Sequence, residues 1–422
     1  MNILIPTSSY PVQTCPNWAP FLGDTAAALA ERGHKVYVLV FAPDNRRKEY
    51  RQAKTPGVFV TAYPFLTLGR QRLRDAPGIL PSLRQSATAK LQLPSYLAAS
   101  AHEILRAVNR HEIDVIHAMW YLPMGFLSTF LKPLHRKPVI VTALGSDLYL
   151  SGGLSKALLR FVSRRSDRNV FCSHHLMDRS RLYGMDLTRS VVVPNGIRFD
   201  KFCRHPKKES REKIKIGCSK RLVKEKRLEL LFTALEKLSH QWKKTIEVVV
   251  AGDGPHKETL ESLSRAAGLS GLVFFAGEVE HGGMSGFFSK IDIFIDTSLQ
   301  EGLATSNIEA MASGCIVIAP DGAGNRDLIT HRENGFLYEQ GSDEQLSLML
   351  TQVLIEFFSG ESGDTESAFI RREAFSVRAA DSASRKFDVA AVAASLERIY
   401  MEAMLPTRAE TLHAPQSAGG LA

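Results

Sequence analysis

The sequence predicts an α/β protein made of two doubly wound parallel-sheet domains. Three observations carry that prediction. Short apolar runs rich in Val and Ile alternate with helix-forming runs along most of the chain, the β-α-β pattern of parallel sheets. The alternation breaks at a charged stretch, residues 199–213, and then restarts. The length, 422 residues, suits two or three domains whose cores need no covalent staples.

In the first half the apolar runs place strands at 3–5, 36–41, 58–63, 115–117, 139–142, 169–172 and 191–193. Helical runs between them fall at 24–32, 95–110, 122–131 and 154–165. The second half repeats the pattern, with strands at 214–218, 246–251, 273–276, 291–296, 315–319 and 335–338. Its helices are expected at 228–238, 257–267, 284–290, 305–312 and 343–358. A linker is expected near 200–211, where charge is dense and a Pro is present. Residues 359–367 read as a second polar stretch and 389–404 as an amphipathic helix. The expected organisation is therefore 1–200, 201–375, C-terminal helices over 376–405, and a disordered tail over 406–422.

Composition bounds the function. Five scattered cysteines without a C-x-x-C pair read as buried reduced thiols rather than disulfides or metal ligands. No apolar run is long enough to span a bilayer, and the first ten residues read as a strand rather than a leader. The formal net charge of +9 favours an anionic partner. With no RNA-binding signature or zinc-finger spacing, no nucleic-acid partner is expected. Residues 64–94 interleave Arg70, Arg72, Arg74, Arg84 and Lys90 with Phe65, Leu66, Leu73, Ile79 and Leu80. That mixture suits contact with an anionic membrane surface, although charge runs are more often solvated faces.

The chemistry-bearing residues follow from one rule: in parallel sheets, ligands sit beyond the carboxyl ends of strands. After the strand at 214–218 come Lys220, Arg221 and Lys226, three cations suited to a diphosphate. After 246–251 comes the turn Gly252-Asp253-Gly254-Pro255, and after 273–276 comes Gly277-Glu278-Val279. After 291–296, Glu301 and Glu309 stand eight positions apart. Gly302 lets backbone approach a ligand, and the free N–H groups around Leu303–Thr305 open a helix, which suits phosphate. Carboxylates accept hydrogen bonds from sugar hydroxyls. Together these features suit a nucleotide sugar. In the first half, His117 and Asp147 end neighbouring strands and are candidates to bind sugar hydroxyls or take a proton. A lone strand-end His is more often structural. Gly23 is a candidate to admit substrate, while Asp24 reads as a helix cap. There is no Asp-x-Asp after an apolar strand, no G-x-G-x-x-G after the first strand and no P-loop.

These motifs, in this order, resemble the retaining GT-B glycosyltransferases often called group 1 or family 4. Val193-Pro194-Asn195-Gly196-Ile197 with Phe202 is similar to the family's P-N-G-[IV]-D…F linker, Gly217 to Lys226 to its G-R-L…K-G, and Gly252 to Pro255 to its G-x-G-P turn. Glu301 to Glu309, followed by Ala310-Met311-Ala312 and Gly314, resembles its E-x7-E signature. The first half is similar at 28–36, at Asp114 to His117 and at Gly145-Ser146-Asp147; residues 117–125 with 142–147 look like the surface-polysaccharide, teichuronic-acid-type branch. Leu144 stands where the family often has His, and Arg227 where it usually has Gly.

The resemblance implies two Rossmann-like domains facing across a cleft, with the C-terminal helices crossing back to the first. It implies a retaining transferase that needs no metal and no cofactor. Arg221 and Lys226 would hold the donor diphosphate, Glu301 the donor-sugar hydroxyls and Glu309 the ribose. Gly302, Leu303 and Thr305 would meet phosphate or sugar through the backbone. Gly252, Gly254 and Gly277 would shape the donor loops, and Val279 would border the base. His117, Asp147, Gly23 and Trp120 would line the sugar and acceptor side. The donor expected first is a UDP-sugar, ahead of GDP- or ADP-sugars. The acceptor would be a glycan or lipid-linked glycan, met in the cytoplasm or at the inner face of the plasma membrane. Two alternatives use the same fold: a sugar-nucleotide epimerase, and a non-catalytic partner subunit.

Overall fold

A computed structural model of the chain describes residues 1–13, 15–51, 55–67, 71–73, 79, 82–83, 86–149, 152–202, 213–359 and 365–405. The expected tail at 406–422, part of the linker, Cys203, and Arg70, Arg74, Leu80 and Arg84 of the basic segment lie outside the described residues. Among the described residues, no helix is long and apolar enough to cross a membrane.

Two sheets form. The first contains β1 (Asn2–Pro6), β2 (Lys35–Phe41), β3 (Lys48–Arg51), β4 (Val58–Tyr63), β5 (Val115–Met119), β6 (Val139–Ala143), β7 (Arg168–Phe171) and β8 (Ser190–Val192). Its order is β3-β4-β2-β1-β5-β6-β7-β8. All its pairs are parallel except β3 against β4. The second contains β9 (Ile214–Ser219), β10 (Ile246–Ala251), β11 (Val273–Gly277), β12 (Ile293–Ile295), β13 (Ile316–Pro320) and β14 (Phe336–Tyr338), in the order β11-β10-β9-β12-β13-β14 and parallel throughout. Every residue of β5, β6 and β13 is buried, as expected for central strands covered by helices on both faces. Strand order reverses between β1 and β5 and between β9 and β12. Those switch points open a crevice at the strands' carboxyl ends.

The helices used below are α1 (Pro20–Glu31), α2 (Ala87–His111), α3 (Gly153–Arg165), α4 (His174–Arg181), α5 (Thr305–Ala312), α6 (Thr365–Phe387) and α7 (Val389–Met404). α7 returns to the first domain. Val389, Val392, Ala393, Leu396, Ile399 and Tyr400 recur at helical spacing and share a buried cluster with Ile3, Leu22, Ala26 and Leu29. The Ile197 N–H donates to the Phe387 carbonyl at 2.9 Å, and the Val389 N–H donates to the Ile197 carbonyl at 3.0 Å. Truncating Leu396 to Ala in this stripe is expected to cost about 2–5 kcal/mol.

Four elements differ from expectation. β3 was not expected, because Lys48-Glu49-Tyr50-Arg51 has no apolar run; it is an antiparallel edge strand, where charge is tolerated. α2 starts at Ala87 rather than 95, with the Ser86 side chain accepting from the Ala89 N–H and Pro94 inside the helix. Residues 122–131 are not one helix: a wide turn at Tyr121–Gly125 precedes a short helix at Phe126–Phe130. The Asp147 carboxylate pins that turn by accepting from the Tyr121 N–H at 2.8 Å. The polar stretch at 359–367 runs into α6, which begins at Thr365 and buries Phe375, Ala379, Ala383 and Phe387. Within the basic segment, Phe65, Leu73 and Ile79 are core residues, and Leu66 is exposed. Cys172, Cys218 and Cys315 are buried free thiols, and burial pushes Cys218 up to about 11.

Candidate active site

The end of β2 and loops after β1, β4, β5 and β6 of the first sheet, with loops after β9, β10, β11 and β12 of the second, enclose a cleft of about 940 Å³. Of the residues expected from sequence, Lys220, Arg221, Lys226, Glu309, Thr305, Gly252, Gly254, Val279 and Trp120 line it.

The second-domain wall carries the positive charge. Lys220 is not available to a ligand in the way expected. Its ammonium is buried, donating to Asp296 Oδ1 at 2.8 Å and Thr297 Oγ1 at 3.0 Å. Burial lowers the Lys220 pKa and raises that of Asp296, but their mutual attraction outweighs burial and keeps both ionised. Such a pair fixes the β9 and β12 ends together, and breaking it would strand a buried charge. Arg221, the next residue, is half-buried and has no ion-pair partner among the described residues. Burial lowers its pKa, only partly offset by Glu225 and Glu278. A desolvated, unpaired guanidinium facing a cleft is a ready anion site.

Lys226 pairs with Glu301 across the turn, so the expected sugar-side carboxylate is held beside the expected diphosphate cation. Arg227 adopts φ +50, the left-handed region that favours Gly, and its side chain turns to Glu229 at 3.1 Å. Gly252 has φ +143, and a Cβ there would lie 1.9 Å from the Lys220 carbonyl oxygen. No other residue fits that turn. Gly277 supports it from behind, accepting from the Gly252 N–H at 2.7 Å.

Glu301 and Gly302 form the seam between domains. A Cβ on Gly302 would meet the Leu144 carbonyl oxygen at 2.4 Å, so only Gly admits this approach. Tyr149 Oη donates to the Glu301 carbonyl at 3.2 Å, and Ser173 Oγ donates to the Gly302 carbonyl at 2.7 Å. Leu303 is buried behind the seam. α5 then begins with no side chain capping its first turn, and its Thr305 and Glu309 reach the cleft. Glu309 is buried, and burial pushes its carboxyl up to about 7.

The first-domain nominees behave differently. His117 is 1% exposed, with Nδ1 against Tyr400 Oη and Nε2 against Thr142 Oγ1, both at 2.6 Å. Burial pushes it down to about 3. It is a core hydrogen-bonding group away from the cleft, because α7 crosses back and covers it. Asp147 is also fully buried, and accepts from the Tyr121 and Gly145 N–H groups at 2.8 and 3.1 Å. It shapes the wall but does not face it; Ser146 does. Gly23 packs on Pro11 rather than opening to substrate. Asp24 lies inside α1 and not at its cap. Trp120 does line the cleft, in a strained φ +68 conformation held by hydrogen bonds to Thr142 and from Gly125. Trp18, Phe21, Phe41 and Leu122 join it.

Asn17 and His281 are cleft residues outside the sequence expectations, as are Ser8, Trp18, Phe21, Phe41 and Met284. The Gly-Gly pair after His281, close behind Val279, was the available signal. Among the described residues, no three His, Cys, Asp or Glu side chains are placed to share a metal ion.

Comparison with known proteins agrees with this layout. Residues 21–201 match the Glycosyltransferase Family 4 model, and residues 200–357 match the model for Glycosyl transferases group 1. The chain is 26% identical over 374 residues to the putative teichuronic acid biosynthesis glycosyltransferase TuaC of Bacillus subtilis, covering 83% of this chain and 89% of that one. It is 24% identical over 267 residues to a GDP-mannose-dependent alpha-(1-6)-phosphatidylinositol monomannoside mannosyltransferase of Mycobacterium tuberculosis, covering 60% and 69%. Among solved structures, Anabaena HepE in complex with UDP superposes with a TM-score of 0.67 at 18% identity, over 95% of this chain and 100% of that one.

Proposed function

This chain belongs to the group 1 and family 4 glycosyltransferases of GT-B fold, and from that premise we propose that it is a retaining, metal-independent transferase acting in cell-surface polysaccharide biosynthesis. The observation that carries the reading is the desolvated Arg221 guanidinium, without an ion-pair partner among the described residues, beside Lys226 in the interdomain cleft. These two cations bind the donor diphosphate and neutralise the charge that builds as the nucleotide departs. The donor sugar lies toward Glu301 and the ribose toward Glu309. The uncapped first turn of α5 adds N–H donors for phosphate. The acceptor, a glycan or lipid-linked glycan, enters over Trp120 and Trp18 on the first-domain wall. Its hydroxyl attacks the anomeric carbon on the face from which the diphosphate departs and gives its proton to that departing phosphate, so the anomeric configuration is retained without a protein nucleophile. A UDP-sugar is the first donor to try, since HepE shares the fold and binds UDP. GDP-mannose, used by the mycobacterial relative, is the second. Exposed Arg72, Lys90 and Leu66 of the 64–94 segment support contact with anionic lipid at the inner face of the plasma membrane.

The test is turnover in EDTA with UDP-, GDP- and ADP-sugars, followed by NMR of the product anomer. Retention with one donor class is expected. Inversion, loss of turnover in EDTA, or isomerised donor without acceptor would overturn the reading.

A further inference from the structure

We propose that His281 positions the ribose-binding carboxylate of Glu309, and that the first domain sets this position through Asp24 and Asn17. The inference rests on the donor-site reading above and adds a coupling between donor recognition and domain closure.

The His281 ring lies between two carboxylates from different domains. Its Nδ1 is 3.9 Å from Glu309 Oε1 on α5, and its Nε2 is 3.9 Å from Asp24 Oδ2 on α1. Nε2 is buried and makes no hydrogen bond, a costly state for a polar atom. Closing either gap by about 1 Å gives hydrogen-bond distance. Glu309 shares the second domain with His281, so a small domain movement closes the Asp24 gap and a slight turn of the ring closes the Glu309 gap.

The first domain also holds the loop that carries His281. Asn17 Oδ1 accepts from the His281 N–H at 2.9 Å, and Asn17 Nδ2 donates to Glu278 Oε1 at 2.6 Å. Val279, expected beside the base, lies between these two anchors and lines the cleft. The charged and titratable groups around the ring are Asp24 of α1, Lys201 and Arg198 of the linker, Glu309 of α5, and Glu278 and Glu280 of its own loop. Lys201 donates to Asp24 Oδ1 at 2.6 Å, and Arg198 Nε stands 3.7 Å from the same oxygen. The Phe202 ring closes the remaining side, with centroids 6.0 Å apart. Asp24 is thus fixed by the linker on one side and presents its second oxygen to His281.

A carboxylate offers about four acceptor sites on two oxygens. With one oxygen of Glu309 engaged by His281, the other is left for the vicinal ribose hydroxyls. Closing the domains on Asp24 then sharpens donor binding. By reciprocity, an acceptor that favours closure raises nucleotide affinity by the same factor.

The test is calorimetry on the full chain, using whichever of UDP, GDP or ADP binds best and its 2′-deoxy analogue. Wild type is expected to prefer the ribonucleotide by about tenfold or more, since a site that hydrogen-bonds a hydroxyl rejects its absence. Glu309→Gln should abolish the preference. His281→Ala and Asp24→Asn should each weaken the ribonucleotide by roughly five- to twentyfold, a typical coupling, with the deoxy analogue within twofold. His281→Gln, which keeps a polar group on the Asp24 side, should recover part of the loss. The double variant His281→Ala/Asp24→Asn should be no worse than His281→Ala alone. If both single variants bind like wild type while Glu309→Gln loses the preference, the relay is wrong and the donor site stands. If wild type binds none of the three nucleotides, or Glu309→Gln keeps the full preference, the donor-site reading falls and takes this proposal with it.

Discussion

The two walls of the cleft are built from different chemistry. The second domain brings the cations Lys220, Arg221 and Lys226 and the carboxylates Asp253, Glu278 and Glu309, with Gly252 and Gly254 exposing backbone between them. Among the described lining residues, the first domain brings no ionisable side chain, only aromatic, aliphatic, hydroxyl and amide groups such as Trp18, Trp120, Phe41, Ser8 and Asn17. Its own buried charges and polar rings are consumed in structure: Asp147 ties the turn after β5, and His117 ties β5 to β6 and α7. Fixed charge on one wall suits a diphosphate whose charge changes during reaction. Flat apolar faces on the other suit the neutral face of a sugar ring. In the proposed reaction the asymmetry would separate holding the leaving group from presenting the nucleophile.

The largest expected effect breaks the charged wall. Lys226→Ala should lower turnover on the order of a hundredfold, as loss of a preorganised charge contact does, and steady-state kinetics within threefold of wild type would contradict the role. The next effect concerns what the first domain does with its histidine. His117 is held neutral by burial, with its pKa pushed down to about 3, whereas the unfolded chain titrates near 6.5. The folded-state pKa is the lower one, so stability is fully present above about pH 6.5 and is lost as pH falls toward 3. Between pH 7 and 5 the loss from this group is about 2 kcal/mol. Thermal melts of His117→Gln should show a flatter acid limb than wild type; an unchanged slope would place the acid sensitivity elsewhere.

Trp120→Ala should raise the acceptor KM by about tenfold, the scale of one lost aromatic contact, and leave nucleotide affinity alone. A matching loss of nucleotide affinity would erase the distinction between the walls. The smallest effect is Arg227→Gly. It relieves a left-handed conformation worth roughly 1–2 kcal/mol against the greater unfolded-state entropy of Gly. The net gain should be about 0.5–1 kcal/mol by denaturant melts, and a loss would mean the Arg227–Glu229 pair matters more than the backbone.

Legibility followed the same divide. β10 and α5 run over the residues their apolar and helical patterns mark, and the strand-end rule led directly to Arg221, Lys226 and Glu309 on the cleft. It led equally to His117, where it did not reach the cleft. Successive strand side chains face opposite sides of a sheet, and what covers each side is decided by α7, more than 280 residues further on. Lys220 and Arg221 are adjacent and alike in charge, but only packing ties one to Asp296 and leaves the other without an ion-pair partner among the described residues. β3 was hidden because an edge strand needs no apolar run. Asn17 had no local pattern and His281 only the Gly-Gly pair behind it, since their partners come from opposite domains.

The most direct measurement of the account is calorimetric titration of UDP, GDP and ADP in EDTA into wild type, Lys226→Ala and Trp120→Ala. One nucleoside diphosphate should bind wild type and Trp120→Ala alike and lose about tenfold or more in Lys226→Ala, the loss of one charge-assisted contact. Equal binding by Lys226→Ala, or a loss confined to Trp120→Ala, would contradict a donor diphosphate held on the second-domain wall.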